Sequence, residues 1–224
     1  EYDVPLLHTY ETVHHDACRE IYRNFFTGLK DYGYCIKCVF ITGITKFTQI
    51  SMFGMLNTLV NISFRNGYAA ICGFTKDEVI CNFSEHLSEL ADNNAITKSA
   101  LMDTMSSIYG GYHFSSGLIV VCNPFSVCNA LVNLRLNSYW IASGSNEMLL
   151  KVLRKFINEI PELDNCLIDS DYLEMSDVNM NDPKLFLYQF GYLTIKKVVG
   201  SSYMLGYPNR EVRNAMLGMS LPNG

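Results

Sequence analysis

Apolar residues recur every three to four positions in several parts of the chain, which is the period of an amphipathic helix. This spacing predicts a helix over residues 9–30, several short helices between residues 51 and 107, and a helix over residues 145–160. The stripe of the first helix recurs every four residues, at Val13, Ala17, Ile21, Phe25 and Leu29. Pro161 follows the third pattern directly, and proline marks the end of a helix.

Two other segments predict strands. Residues 35–41 form a short, nearly continuous apolar run that ends at Thr42, which is typical of a strand buried on both faces of a parallel sheet. Near the end of the chain the pattern predicts a helix over 183–190, strands over 192–199 and 203–207, and a helix over 210–217. Helix, two-stranded wing and helix outline a winged-helix module. We therefore expect an α/β fold.

Composition places the chain among globular proteins. It has 224 residues, of which 49% are hydrophobic, so it can bury a sizeable core. No apolar run is long enough to predict a membrane span, and we expect no membrane partner. The eight cysteines are scattered except for Cys35 and Cys38, which favours a reduced, cytoplasmic chain. These two have the spacing of half a zinc site, but no second pair completes it, so we expect both thiols to be metal-free.

Charge is distributed unevenly. Between residues 156 and 183 there are eight acidic residues and no Lys or Arg, which predicts an acidic connector or an exposed face. Residues 184–224 contain five basic residues and one acidic residue, a local charge of +4. This local charge favours a nucleic-acid partner, whereas the formal charge of −5 on the whole chain opposes one.

Nine short motifs occur in series along almost the whole chain. They are EYDVP at 1–5, FITGITKF at 40–47, SMFGMLN at 51–57, CGFT at 72–75, YGGYHF at 109–114, NPFS at 123–126, YWIASG at 139–144, GYLTI at 191–195 and PNREV at 208–212. Taken together, they resemble the AAA-ATPase-like family of bacterial P-loop ATPases of the signal-transducing type.

The resemblance implies an architecture. Residues 1–50 would be the end of a P-loop NTPase core with a parallel sheet, 51–160 a helical lid region, and 161–224 a winged-helix-like module with an acidic connector. The chain contains no GxxxxGK[ST] Walker A loop, and EYDVP resembles the end of the Walker B strand. We therefore expect a fragment that is inactive alone, with ATP and Mg²⁺ as cofactors of the full-length parent. Relatives often carry a PD-(D/E)XK nuclease domain, which would lie beyond Gly224.

The resemblance also implies catalytic roles near the start of the chain. Glu1 would orient or deprotonate the attacking water, and Asp3 would be a second acid at the metal. The alternative for both is a solvated turn. Thr42 resembles the polar sensor residue near the γ-phosphate, and its place after an apolar run supports this independently, because ligands bind beyond the carboxyl ends of parallel strands. The alternative for Thr42 is a strand end or a cap.

Three basic residues are candidates for binding the nucleotide. Lys46 would be a charge partner of the phosphates, and Arg210 and Arg213 would approach the nucleotide as lid arginines; the alternatives are solvation for Lys46 and surface salt bridges for the arginines. The leading hypothesis is the C-terminal part of a signal-transducing ATPase whose hydrolysis drives a conformational switch. The alternative is a nucleic-acid-binding or regulatory winged-helix protein with a degenerate ATPase portion.

Overall fold

The computed structural model describes residues 1–46, 59–140, 147–175 and 177–220. In these ranges the helices are α1 (Val4–Thr9), α2 (His15–Asp31), α3 (Lys76–Asn82), α4 (Ser84–Asn93), α5 (Lys98–Tyr109), α6 (Pro124–Asn133), α7 (Glu147–Lys155), α8 (Ser170–Met175), α9 (Pro183–Gln189) and α10 (Arg210–Ser220). The strands are β1 (Cys166–Asp169), β2 (Thr194–Val199) and β3 (Ser202–Gly206). The motif SMFGMLN, the helix predicted from it and residues 141–146 lie outside the described ranges.

Local capping residues begin the central helices. Thr75 and Glu78 form a capping box at α3, in which the Glu78 amide donates to Thr75 Oγ1 at 3.3 Å and the Thr75 amide donates to Glu78 Oε2 at 2.8 Å. Asn123 Oδ1 accepts from the Ser126 amide at 3.2 Å at the start of α6, where Pro124 occupies the first turn. The prediction of several short helices in this part of the chain is confirmed by α3, α4 and α5.

The N-terminal helix was predicted, but its buried face was not. The prediction over 9–30 corresponds to α2, and the chain turns between α1 and α2 at Glu11, where φ is +58°. Ile21 and Phe25, both in the predicted buried stripe, are 68% and 63% exposed, whereas Phe26 is buried. The reason is that α1 packs on the neighbouring face of α2, where Leu6 and Leu7 share a core with Phe26.

The strand predicted over 35–41 is wrong. Gly33–Cys35 is a 3₁₀ turn and residues 36–43 form no regular element, with Phe40 66% exposed. A strand needs a neighbour for its backbone amides and carbonyls, and the described ranges place no strand beside this segment. The parallel P-loop sheet is therefore not shown within those ranges.

The sheet of the described ranges is small and antiparallel. Its strand order is β1-β3-β2, and β2 and β3 form the predicted hairpin, in which Thr194 lies opposite Gly206. The turn contains Gly200 with φ +60°, a conformation that glycine adopts without a steric penalty. β1 and α8 lie in the acidic segment, where only a connector or an exposed face was predicted. Because Ile168 alone is buried in β1, the apolar pattern of this strand is too short to recognise.

Two hydrophobic cores hold the elements together. The helical core is formed by α3, α4, α5 and α6 together with Cys122. The larger core joins α1 and α2 to the C-terminal elements, with Phe26, Phe186 and Leu205 among its buried residues. The division into 1–50, 51–160 and 161–224 stays a prediction.

The start of α10 joins the two cores through buried polar side chains. Asn209 Oδ1 accepts from the Val212 amide at 3.1 Å, which caps α10, and its Nδ2 donates to the Gly110 carbonyl at 2.9 Å. Glu211 Oε2 accepts from Ser126 Oγ at 3.1 Å, and its Oε1 accepts from the Trp140 amide at 2.8 Å. Motifs that are distant in sequence therefore meet at one buried carboxylate.

Cys122 lies at an edge of the helical core. Its amide donates to the Phe74 carbonyl at 2.7 Å, which forms a short antiparallel bridge. Burial raises the pKa of the Cys122 thiol to about 11. Cys35, Cys38, Cys72, Cys81 and Cys128 are free and exposed.

Across the described ranges, every helix is too short or too polar to cross a lipid bilayer.

The close contact between Gly111 and the Pro208 carbonyl allows a test of how much the packing at the junction of the two cores contributes to stability. Gly111 has φ +77°, and a Cβ there would overlap the Pro208 carbonyl oxygen. We expect Gly111→Ala to lower the free energy of unfolding by about 2 to 4 kcal/mol, measured by urea denaturation. Gly200→Ala is the matched control, because its φ is also positive but a Cβ there meets nothing within 4 Å. Equal losses in the two variants would contradict the steric explanation.

Candidate functional site

The first residues of the chain pair with the loop at 42–45. The Tyr2 amide donates to the Thr42 carbonyl at 2.9 Å, although neither residue belongs to a strand. Glu1 and Thr42, both predicted as catalytic, are exposed and lie next to this bond. The structure therefore brings these two residues to one place.

Asp3 is the buried centre of this pairing. Its side chain is fully inaccessible; Oδ1 accepts from the Ile44 amide at 3.1 Å, and Oδ2 accepts from the Thr45 amide at 2.5 Å and from Thr45 Oγ1 at 2.6 Å. A buried carboxylate is costly unless hydrogen bonds replace its lost hydration, and these three donors do so. The Asp3 carbonyl also accepts from the Leu7 amide at 2.9 Å, which begins α1. Asp3 thus fixes the loop and α1 together.

Gly43 and two tyrosines complete the arrangement. A Cβ at Gly43 would collide with Asp3 Oδ1 and would lie 2.8 Å from the Tyr2 ring, so only glycine fits without displacement. Tyr2 Oη donates to the Thr45 carbonyl at 3.1 Å, and Tyr22 Oη on α2 donates to the Tyr2 carbonyl at 2.6 Å. Burial, with Cys18 and Asp3 nearby, raises the pKa of Tyr22, so this hydroxyl keeps its proton and remains a donor.

Lys46 lies between the loop and the C-terminal elements. Its amide donates to Gln189 Oε1 at 3.2 Å, its carbonyl accepts from the Val178 amide at 2.8 Å, and its Nζ donates to the Glu174 carbonyl. Burial lowers the pKa of Lys46, while Asp177 and Glu174 act in the opposite direction. Its side chain also lines a surface cavity of about 430 Å³, together with Asn61, Phe64, Arg65, Glu174 and Met175. The predicted contact between Lys46 and phosphate stays a prediction.

The two arginines of α10 lie elsewhere. Arg213 Nε forms an ion pair with Asp164 Oδ2 at 3.3 Å, and both side chains are partly exposed. Arg210 is exposed at the start of α10. No hydrogen bond or ion pair joins either arginine to Glu1, Asp3 or Thr42, all of which lie in the described ranges. Their role at a nucleotide stays a prediction.

The surroundings of the Asp3 carboxylate do not fit a magnesium ion. Mg²⁺ needs carboxylate oxygens that face water or phosphate, whereas both oxygens of Asp3 accept hydrogen bonds from Ile44 and Thr45 in a fully buried position. Among the described residues, no three His, Cys, Asp or Glu side chains are grouped so that they could hold a metal. We therefore derive no chemical step through a metal held by Asp3.

Sequence patterns did not predict the partners of Asp3. Thr45, Gly43, Tyr2 and Tyr22 shape the loop, and of these only Gly43 is of a residue type that permits a close approach of the backbone. The hydrogen bond from Tyr22 to Tyr2 spans 20 positions and that from Thr45 to Asp3 spans 42, and bonds of this range leave no periodic pattern in the sequence.

A comparison with protein families matches the region that contains this loop. The model of the AAA-ATPase-like family, described as "Predicted AAA-ATPase", matches residues 1–53. This match supports an AAA-ATPase-like family. The matched segment contains Glu1, Asp3, Thr42 and Lys46.

A curated relative matches the chain more widely. It is the "Uncharacterized protein in vnfD 5'region" of Azotobacter chroococcum mcd 1, 28% identical over 223 residues. The alignment covers 96% of this chain but 40% of the relative, so the chain spans less than half the length of that relative. No solved structure matches the chain.

Thr45 and Thr42 form a matched pair for testing the loop. Thr45→Val removes the Oγ1 donor from the buried Asp3 carboxylate, so we expect the free energy of unfolding to fall by about 1 to 3 kcal/mol. Thr42→Val replaces an exposed side chain, and we expect a change within about 0.5 kcal/mol. Urea denaturation of both variants measures the difference; an unchanged midpoint for Thr45→Val would show that Asp3 does not depend on this donor.

Proposed function

We propose that this chain is part of a signal-transducing P-loop ATPase, in which ATP binding and hydrolysis drive a conformational switch in a longer protein. The observation behind the proposal is the hydrogen bond from the Tyr2 amide to the Thr42 carbonyl, because it puts the exposed Glu1 beside the exposed Thr42. A carboxylate next to a hydroxyl suits an attacking water and a γ-phosphate. The family match over residues 1–53 and the greater length of the relative support the same proposal.

Glu1, Thr42 and Asp3 have different roles in this proposal. Glu1 orients or deprotonates the attacking water, and Thr42 hydrogen-bonds near the transferred phosphate. Asp3 holds the Thr42–Thr45 loop in place by accepting hydrogen bonds from the Ile44 and Thr45 amides. The exposed side chains of Glu1 and Thr42 thus make the catalytic contacts, and the buried Asp3 positions the loop that carries Thr42.

We further propose that the C-terminal elements are a winged-helix module that receives the switch. In support, β1 is followed by α8 and α9, then by the β2–β3 hairpin, and the strand order is β1-β3-β2. Helices between the first and second strands and a protruding hairpin are the parts that such a module needs. Gly200, at the hairpin turn, would form the tip of the wing.

The alternative of a nucleic-acid-binding protein has less support from the charges. Lys184 Nζ donates to the Leu167 carbonyl at 2.9 Å, Lys196 Nζ donates to the Pro208 carbonyl at 3.1 Å, and Arg213 pairs with Asp164. Three of the five cations behind the local charge of +4 therefore already have partners. Phosphate binding would have to displace these partners, so we favour the ATPase switch.

Glu1→Gln tests the catalytic assignment in a longer polypeptide that contains both this chain and a Walker A loop. We expect ATP binding to be preserved and the hydrolysis rate to fall by about 10²-fold or more, because the glutamine cannot accept the proton of the attacking water. Thr42→Val should also slow hydrolysis. Glu20→Gln, at an exposed position of α2, is the control and should hydrolyse ATP at the parent rate. Normal turnover in both Glu1→Gln and Thr42→Val would contradict the proposal.

The 224-residue chain itself gives a separate test. It has no GxxxxGK[ST] loop, whose amides make most phosphate contacts in P-loop ATPases, so we expect negligible binding of Mg²⁺–ATP. Isothermal titration calorimetry measures this directly. A micromolar dissociation constant would contradict this expectation, because the chain would then bind nucleotide without a Walker A loop.

A further inference from the structure

We infer that Lys46 is a positioning residue that couples the Thr42–Thr45 loop to the segment containing α8 and α9, and that it does not bind phosphate. The part of this inference that concerns nucleotide rests on the proposed function. The mechanical part, that Lys46 connects the loop to the C-terminal elements, stands on hydrogen bonds within the chain.

Three polar groups of Lys46 bond to the C-terminal elements. The backbone amide reaches Gln189 at the end of α9, the carbonyl accepts from Val178, and Nζ donates to the Glu174 carbonyl in the last turn of α8. The partners of the amide and of Nζ are 143 and 128 positions away in sequence. One residue therefore links the loop to α8, to α9 and to the chain between them.

The loop has a second anchor on its other side. Thr45, the residue before Lys46, is held by the Asp3 carboxylate through its amide and its hydroxyl. Two successive residues are thus bonded to opposite parts of the molecule, Thr45 to the chain start and Lys46 to the C-terminal elements. Because Thr45 and Lys46 are adjacent, no residue lies between the two anchors that could absorb a displacement of Thr45.

The engaged Nζ is the reason to prefer positioning to phosphate binding. Lys46 is half-buried, and its Nζ satisfies a carbonyl near the end of α8, where helix carbonyls lack intrahelical partners. Glu174 is itself connected to the sheet, since its Oε1 accepts from Tyr203 Oη of β3 at 2.5 Å. Movement of Lys46 would therefore reach α8 and β3 through Glu174 and α9 through Gln189.

Hydrogen exchange in the 224-residue chain tests the connection without any nucleotide. Lys46→Met keeps a side chain of similar length but removes the Nζ donor to Glu174, so we expect peptides covering 170–175 to exchange roughly 3- to 10-fold faster. Gln189→Leu removes the acceptor of the Lys46 amide and should have the same effect on α9. Lys37→Met, at an exposed lysine before the loop, is the control and should leave exchange unchanged. Unchanged exchange in both test variants would overturn the inference.

A second experiment separates positioning from phosphate binding. In a longer polypeptide with a Walker A loop, we expect Lys46→Met to bind Mg²⁺ and a non-hydrolysable ATP analogue within about threefold of the parent affinity. The exchange difference that the analogue induces over 170–175 should be lost. A drop in affinity of about tenfold or more would overturn the inference and assign Lys46 to phosphate. If the parent does not bind the analogue, the proposed function fails, and the nucleotide-free exchange experiment decides the inference alone.

Discussion

The site depends on the burial of one carboxylate. Asp3 is inaccessible to water, so its charge has to be compensated within the protein, and the only donors that the described structure places on its side chain are those of Ile44 and Thr45. This requirement fixes the loop, and it explains why Gly43 has no side chain. It also determines the position of the Lys46 backbone, which follows Thr45 directly, and hence which C-terminal elements the loop can contact. The exposed Glu1 and Thr42 thus lie beside a loop that the buried Asp3 holds in place.

The junction of the two cores follows the same principle with a different carboxylate. Glu211 is nearly inaccessible, and its oxygens accept from Ser126 on α6 and from the Trp140 amide. Breaking either bond would remove one donor from a buried charge, which costs more than the hydrogen bond itself gains. The motif PNREV therefore has a structural explanation in which Asn209 caps α10 and Glu211 connects the cores.

Sequence patterns predicted what local interactions determine and missed what distant ones determine. Thr75 and Glu78 mark the start of α3, and Gly200 marks the hairpin turn, because both depend on residues within a few positions. The apolar run at 35–41 has the composition of a buried strand, but strands form only where a neighbour pairs with them. In the site, Thr42 was selected by a general rule about strand ends, although neither Thr42 nor Tyr2, whose amide bonds to it, belongs to a strand. Lys46 was predicted from its charge, whereas its contacts depend on a fold that composition does not encode.

The buried Cys122 gives the chain an internal reporter of its own opening. The cysteine thiolate attacks thiol reagents, so the exposed cysteines should be modified quickly. With its pKa raised to about 11 and its side chain enclosed by the helical core, Cys122 can react only after that core opens. A slow phase of modification that is assigned to Cys122 would therefore measure how often α3 to α6 separate. The free energy of opening the helical core could then be compared with the free energy of unfolding the whole chain, with native cysteines as the probes.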